Sequence, residues 1–354
     1  MNRMIRSFID STLCSSVLLF SSLLPTAHAA TGLDVIAATS TAGPITVFYP
    51  SDSATAPVKR GAVTLDMAWQ GTPKSGNQRL IVLSHGSGGS PWQLTDLANR
   101  LVADGYTVAV PEHEGDNYHS HSKVGPETWK LRPLEISHAI DAMAADTRFA
   151  TLFDAQRVGV WGMSAGGHTA LTLAGGRWSP AKLLTHCEAH LAEDFAACTG
   201  AATELTGSGW DGIKKTIAMP IIRWVLSGDE RFYGHTDPRI KAIIAGVPFA
   251  VDFDLSTLAK PVAPLGLIRA GQDRWLVPQF HGDRVIATCQ PTQACEVISD
   301  MPTAGHGALL APLPQGLPER IQRLLDDPSD FERTSQLPVL YERTTAFFKQ
   351  HLRP

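Results

Sequence analysis

Residues 158–173 constrain this chain more than any other stretch. Val158 to Val160 is a short apolar run, followed by Trp161-Gly162-Met163-Ser164-Ala165-Gly166-Gly167. From about His168 to Ala174 the chain turns rich in Ala, Thr and Leu, with helical character. An apolar strand running into Gly-x-Ser-x-Gly and then a helix is a sharp turn that lifts a serine hydroxyl above a sheet edge. The small residues two before and two after the serine let backbones pass closely. Gly167 adds room for the helix to pack onto its strand. Such a turn demands a sheet beneath it and a helix against that sheet, which fixes an α/β class.

The flanking sequence repeats the same rhythm. Arg79 to Ser84 is a continuous apolar run of the kind buried on both faces, and it enters His85-Gly86-Ser87-Gly88-Gly89. Helical spacing over Trp92 to Ala103, a strand over Tyr106 to Val110 and a helix over Glu127 to Ala145 precede the serine turn. Pro133 is expected near the first turn of that last helix. Strands resume at Ile240 to Ala245, Pro264 to Ala270 and Glu296 to Ser299, and Gln336 to Leu352 closes the chain as a helix. The alternation predicts a mostly parallel central sheet with helices on both faces. Ahead of it, Ile45 to Tyr49 and Val63 to Trp69 read as antiparallel edge strands. The region between the last strand and the closing helix, rich in Pro and Asp, reads as a surface connection.

Residues of about 176–238 break the rhythm. Helical patches are expected over Lys182 to Ala197 and Asp211 to Leu226, the second kinked or split by Pro220. An insertion here is expected to be a helical lid over a pocket, the alternative being a helical pair capping the sheet edge.

The first 29 residues read as a signal peptide. Arg3 and Arg6 make a basic start, Leu13 to Leu24 is apolar but short for a bilayer, and Ala27-His28-Ala29 fits a cleavage site. Residues 30–354 then form one exported domain, periplasmic or secreted, with no stable membrane span after processing. In an oxidising compartment the four remaining cysteines predict two disulfides; of three possible pairings the local one, Cys187–Cys198 and Cys289–Cys295, closes two short loops and is the expectation. Zinc is the competing use, but the spacings lack CxxC pairs. The net charge of −4 is spread without long runs, so nucleic acid is not an expected partner.

A serine hydroxyl is a poor nucleophile and needs a base within hydrogen-bond reach, itself oriented by a carboxylate. Ser164, Asp273 and His306 follow one another in the chain order Ser, acid, His, each on a loop after a predicted strand. All three therefore emerge at one edge of a parallel sheet, where ligands bind. Asp252 and Asp254 are the rival acids; His281 and His351 are the other downstream histidines. Backbone N–H groups of Ala165 and Ser87 are the expected donors to a developing oxyanion. His113, His119 and His121 lie near Glu112, Glu114 and Asp116; a polar pocket rim is the expectation, a divalent-ion site the alternative. No metal and no cofactor is required by this chemistry.

These residues carry a family resemblance. Ser84-His85-Gly86-Ser87-Gly88-Gly89, Ala103-Asp104-Gly105-Tyr106 through His113, Arg132-Pro133 with Ile136-Ser137, and Gly162-Met163-Ser164-Ala165-Gly166-Gly167 form the fairly specific part. Tyr49-Pro50 and Asp237-Pro238-Arg239-Ile240 extend it. Over roughly residues 45–310 the chain resembles the α/β-hydrolases that group bacterial dienelactone-hydrolase-like proteins with platelet-activating-factor acetylhydrolases. The resemblance implies the α/β-hydrolase fold and a cofactor-free Ser-His-Asp esterase acting on small or short-acyl esters. It supports Ser87 and Ala165 as oxyanion donors. Dienelactone hydrolases proper use a cysteine where this chain has Ser164, and the insertion matches poorly, so substrate identity does not follow. A peptidase or a non-catalytic binding module on the same scaffold are the competing classes, and the oligomeric state is left open.

Overall fold

The structure, a computed structural model, describes residues 30–39, 43–312, 314 and 316–353. The expected signal peptide lies outside the described residues. The strands are β1 (Ala30–Ile36), β2 (Ile45–Ser51), β3 (Ala56–Arg60), β4 (Val63–Trp69), β5 (Leu80–Ser84), β6 (Thr107–Pro111) and β7 (Val158–Met163). They continue with β8 (Arg177–Trp178), β9 (Ile240–Gly246), β10 (Phe253–Asp254), β11 (Leu265–Ala270) and β12 (Cys295–Met301). Ten of them form one sheet in the order β12-β11-β9-β7-β5-β6-β2-β1-β4-β3, with β8 and β10 pairing separately. From β12 to β6 every neighbouring pair is parallel. β2 then runs antiparallel to β6, β1 to β2 and β3 to β4, while β1 and β4 are parallel neighbours.

Each buried strand feeds two cores by its period of two. Leu80, Val82, Val158 and Val160 point to one face, where Trp129, Ile136, Ile140 and Leu171 cover them. Ile81, Leu83, Trp161 and Met163 point to the other, under Leu97, Leu101, Leu340 and Phe348. The first layer is made by helices α2 (Pro126–Ala145) and α3 (Ala165–Leu173); the second by α1 (Thr95–Ala103) and α9 (Arg333–His351). The expected layering is therefore present, with the serine turn after the central strand β7.

Three local expectations need correction. Pro133 is not in the first turn of α2: Pro126 occupies that place and Pro133 sits inside a continuous helix. A proline there leaves the carbonyl four residues earlier without its helical donor and costs roughly 3 kcal/mol. Burial of Trp129, Ile136, Ala139, Ile140 and Met143 offsets it. Pro220 likewise lies inside α6 (Asp211–Leu226), which is not split there, whereas the helical patch over Lys182 to Ala197 is divided into α4 (Pro180–His190) and α5 (Phe195–Cys198). The Pro- and Asp-rich connection contains a further short helix, α8 (Glu319–Leu325), and α7 (Gly282–Cys289) precedes β12.

The cysteines pair locally as expected, Cys187 with Cys198 and Cys289 with Cys295. The first bond ties α4 to α5 and the second ties α7 to β12. Closing loops this short stabilises by about 2–3 kcal/mol each on the chain-entropy account.

The insertion is also joined to the sheet layer through one buried carboxylate. Asp194 Oδ2 accepts from His186 Nε2 at 2.8 Å and from His281 Nε2 at 3.0 Å. Ala250 N donates to His281 Nδ1 at 3.0 Å, so the proton of that ring sits on Nε2. Burial pushes the Asp194 carboxyl up, but the bonds from His186 and His281 outweigh it and bring it to about 2. Its folded value is thus below the ordinary 3.8. The resulting stability, about 2 kcal/mol, is complete above the unfolded value and is lost as pH falls through about 2. Asp194→Asn should remove that part of the acid dependence and lower stability at neutral pH. Urea unfolding at pH 7 and pH 3 checks this; an unchanged difference between the two pH values would refute it. Among the described residues no helix is long and apolar enough to cross a membrane.

Candidate active site

The site begins with how tightly the serine turn is wrapped. Ser164 has φ 57° and ψ −120°, a conformation an L side chain rarely adopts, and it immediately precedes α3 as its N-cap. Its N–H donates to Gly246 O, and its carbonyl accepts from His168 and Phe249. These bonds hold the turn against β9 and the following loop. A Cβ at Gly162 would lie 2.0 Å from Gly166 O, and one at Gly166 2.0 Å from Ser84 O. Glycine at both places is therefore a packing requirement.

Parallel strands deliver the other groups to the same edge. Asp273 follows β11 and His306 follows β12. His306 Nε2 lies 3.0 Å from Ser164 Oγ, and His306 Nδ1 lies 2.7 Å from Asp273 Oδ2. The carboxylate can only accept, so Nδ1 carries the ring proton and Nε2 is left to receive the serine's. Asp273 Oδ1 is held by the backbone N–H groups of Trp275 and Leu276, both at 2.9 Å. Asp273 and His306 are 4% and 6% exposed, so this chain of bonds is shielded from water along most of its length. Chemically, the arrangement can deprotonate a hydroxyl as it attacks and return the proton to a leaving group.

The rival acids are engaged elsewhere. Asp252 is fully buried and bonded to His168 Nε2 at 3.1 Å, with Trp129 stacked on the His168 ring. Asp254 caps the short turn that follows it through Ser256. His281 serves Asp194, and His351 packs on Phe347.

Ala165 is the first residue of α3, so its N–H has no carbonyl a turn earlier to bond. Gly86 abuts the nucleophile, since a Cβ there would stand 3.4 Å from Ser164 Cβ. The two expected oxyanion donors, Ala165 N–H and Ser87 N–H, thus lie on segments that adjoin Ser164.

The histidine-rich loop differs from the expected rim. His119 and His121 are exposed, but His113 and Asp116 are fully buried and Glu112 is 9% exposed. Buried polar groups need partners, and here they have them. His113 bridges Ser84 Oγ (2.8 Å) and Glu135 (2.6 Å), and Glu135 also accepts from Glu114 N at 2.9 Å. Burial holds the His113 imidazole well below its ordinary value and raises Glu135. Asp116 accepts from Ser87 Oγ at 2.6 Å, Gly88 N at 2.8 Å and Arg132 Nη2 at 2.7 Å. Burial pushes the Asp116 carboxyl up, yet the Arg132 charge and these bonds hold it below the ordinary range. Arg132, itself fully buried, also reaches the carbonyls of His85 and Gly86. Sequence reading named Ser87, His113, Asp116 and Arg132 but not Glu135, and missed that they are buried together, because such polar residues ordinarily lie at the surface. The one available signal was Arg132 and Glu135 set among the apolar positions of the helix over Glu127 to Ala145. Among the described residues no three His, Cys, Asp or Glu side chains are grouped to hold a metal ion.

No family model and no curated protein matches the chain. Among solved structures it is similar to a ferulic acid esterase from Streptomyces cinnamoneus, with 16% identity over 94% of this chain and 93% of that one and a TM-score of 0.56. At that identity the likeness bears on architecture alone. The mostly parallel sheet with helices on both faces is the α/β-hydrolase fold.

Proposed function

We propose that this chain uses the α/β-hydrolase fold as a serine carboxylester hydrolase acting on small or short-acyl esters. One observation carries the reading: the continuous hydrogen-bonded chain from Ser164 Oγ through His306 to Asp273. In the proposed reaction Ser164 Oγ attacks the ester carbonyl while His306 Nε2 takes its proton. The oxyanion is received by the N–H groups of Ala165 and Ser87. His306 returns the proton to the departing alcohol, leaving an acyl-Ser164. Water, deprotonated by His306, then releases the acid. Asp273 keeps the imidazole in the required tautomer and offsets its positive charge.

The dienelactone-hydrolase-like resemblance and the ferulic acid esterase likeness both favour esters over other acyl compounds. Residues of about 176–238 are proposed as a lid over this edge, and the exposed apolar side chains of Trp210, just before α6, and of Ile217, Ile221 and Trp224 on it suit a surface that meets apolar substrate. Export is proposed from the leader-like start together with the two disulfides.

A fluorophosphonate probe followed by a substrate panel tests the reading. The panel holds p-nitrophenyl esters from acetate to laurate, a feruloyl ester, a short-acyl phospholipid and a peptide amide. Labelling at Ser164 with turnover of short esters is expected. Absence of labelling in folded protein would reject the hydrolase, and turnover of the amide in preference to every ester would make it a peptidase.

A further inference from the structure

The loop His85–Gly89 is held by groups that never reach the substrate, and their arrangement fixes the direction of one amide. Gly86 O accepts from His85 Nδ1 at 2.7 Å, from Gly89 N at 3.1 Å and, at 3.5 Å, from Arg132 Nη2. His113 N donates to His85 Nε2, so the His85 proton is on Nδ1 and the bond to Gly86 O is a true donation. Arg132 Nη1 bonds His85 O at 2.6 Å, and Arg132 Nη2 bonds Asp116 O and Oδ2. In a planar trans peptide the carbonyl and the following N–H point in opposite directions. Pinning the Gly86 carbonyl on the Arg132 side therefore turns the Ser87 N–H to the other side, and Gly86 abuts Ser164. Asp116 adds a second constraint, taking the Ser87 hydroxyl and the Gly88 N–H, while among the described residues no acceptor takes the Ser87 N–H.

We propose that Arg132 and Asp116 are positioning residues that aim the Ser87 N–H at the oxyanion formed on attack by Ser164. This rests on the hydrolase reading. Charge enters as well as geometry. A buried carboxylate close to an oxyanion site opposes the charge that develops there, and Arg132, at 2.7 Å, compensates it. Neither residue is placed to touch the acyl group, so both act on the transition state through the loop.

Arg132→Lys and Asp116→Asn test this. The lysine keeps a charge but cannot span His85 O, Gly86 O and Asp116 together. The asparagine keeps the shape but confronts Arg132 or the Ser87–Gly88 donors with an amide NH2. Functional sites are counted by fluorophosphonate titration, and kcat and KM for p-nitrophenyl acetate are expressed per titrated site. Removing one oxyanion donor costs about 10²- to 10³-fold, and misaiming one should cost roughly 10- to 100-fold in kcat with KM nearly unchanged. Binding of a boronic acid, a mimic of the tetrahedral state, should weaken by a similar factor. A variant with wild-type kcat per titrated site and unaltered boronate affinity, whatever its yield or melting temperature, would overturn the proposal. Should Arg132→Lys fail to fold, the near-isosteric Asp116→Asn decides alone. A wild-type protein that neither labels nor turns over ester would instead overturn the hydrolase reading, which separates the two failures.

Discussion

Ser164→Ala should lower kcat for ester hydrolysis by about 10³- to 10⁶-fold, and His306→Ala by nearly the same factor. The two atoms share one proton transfer across 3.0 Å, so removing either leaves the other without a task. Asp273→Asn should cost somewhat less, and the structure gives a reason for its direction. Two backbone N–H groups claim Asp273 Oδ1, which in the variant must be met by the single amide oxygen. The amide NH2 then faces His306 Nδ1, forcing that nitrogen to accept and placing the ring proton on Nε2. A protonated Nε2 cannot take the serine's proton. Asp252→Asn and Asp254→Asn should leave kcat per functional site almost intact, because Asp252 serves His168 and Asp254 serves Ser256. Circular dichroism would verify folding in each. Ser164→Ala keeping more than about a tenth of wild-type turnover would sink the assignment. An active Asp273→Asn beside an inactive Asp252→Asn or Asp254→Asn would move the acid.

Gly166→Ala should be a severely damaging single methyl. Its Cβ would sit 2.0 Å from the Ser84 carbonyl oxygen, 2.7 Å from the Ser84 carbonyl carbon and 2.9 Å from His85 O. All three are backbone atoms, so no rotamer change relieves the clash. Either α3 slides away from β5 or the β5 terminus moves, and β5 is hydrogen-bonded on both sides, to β6 and β7. The cost is expected to exceed about 4 kcal/mol, in the range reserved for core overpacking and backbone conflict. Thermal unfolding of the purified variant, or its absence from the soluble fraction, reads this directly. Gly282→Ala makes a suitable control, since its Cβ would meet only Pro248 Cδ at 3.9 Å. A Gly166→Ala protein melting within a few degrees of wild type would show that the elbow tolerates separation from β5.

What the sequence disclosed and what it hid divide along physical lines. Strands β5, β6 and β7 are buried on both faces and wrote themselves as near-continuous apolar runs, and β9 and β11 did so but for Lys241 and Arg269. The order of Ser164, Asp273 and His306 followed from loops at one end of parallel strands. Local disulfide pairing followed from short separations. By contrast, the Arg132–Asp116 clamp joins residues 16 apart through side chains that only tertiary structure brings inside. His168–Asp252 and Asp194–His281 span longer gaps still. Polar residues carry no periodic mark of burial, which is why Glu112 to Asp116 read as rim. The prolines misled for the opposite reason: local preference placed Pro133 at a helix start, while packing on Trp129 and its neighbours carries α2 through it from Pro126.

The left-handed backbone of Ser164 has a consequence for descent. A non-glycine residue at φ 57° and ψ −120° carries roughly 1–3 kcal/mol of conformational strain, retained where the surroundings over-determine it. Glycine would adopt the same angles without that strain. Losing the hydroxyl by drift to glycine therefore sets no barrier of folding against a lineage that abandons chemistry. The scaffold, its two cores and its disulfides would outlive the reaction. Silent copies of this architecture, folded and retained for what they hold rather than what they cleave, lie one relaxing substitution away.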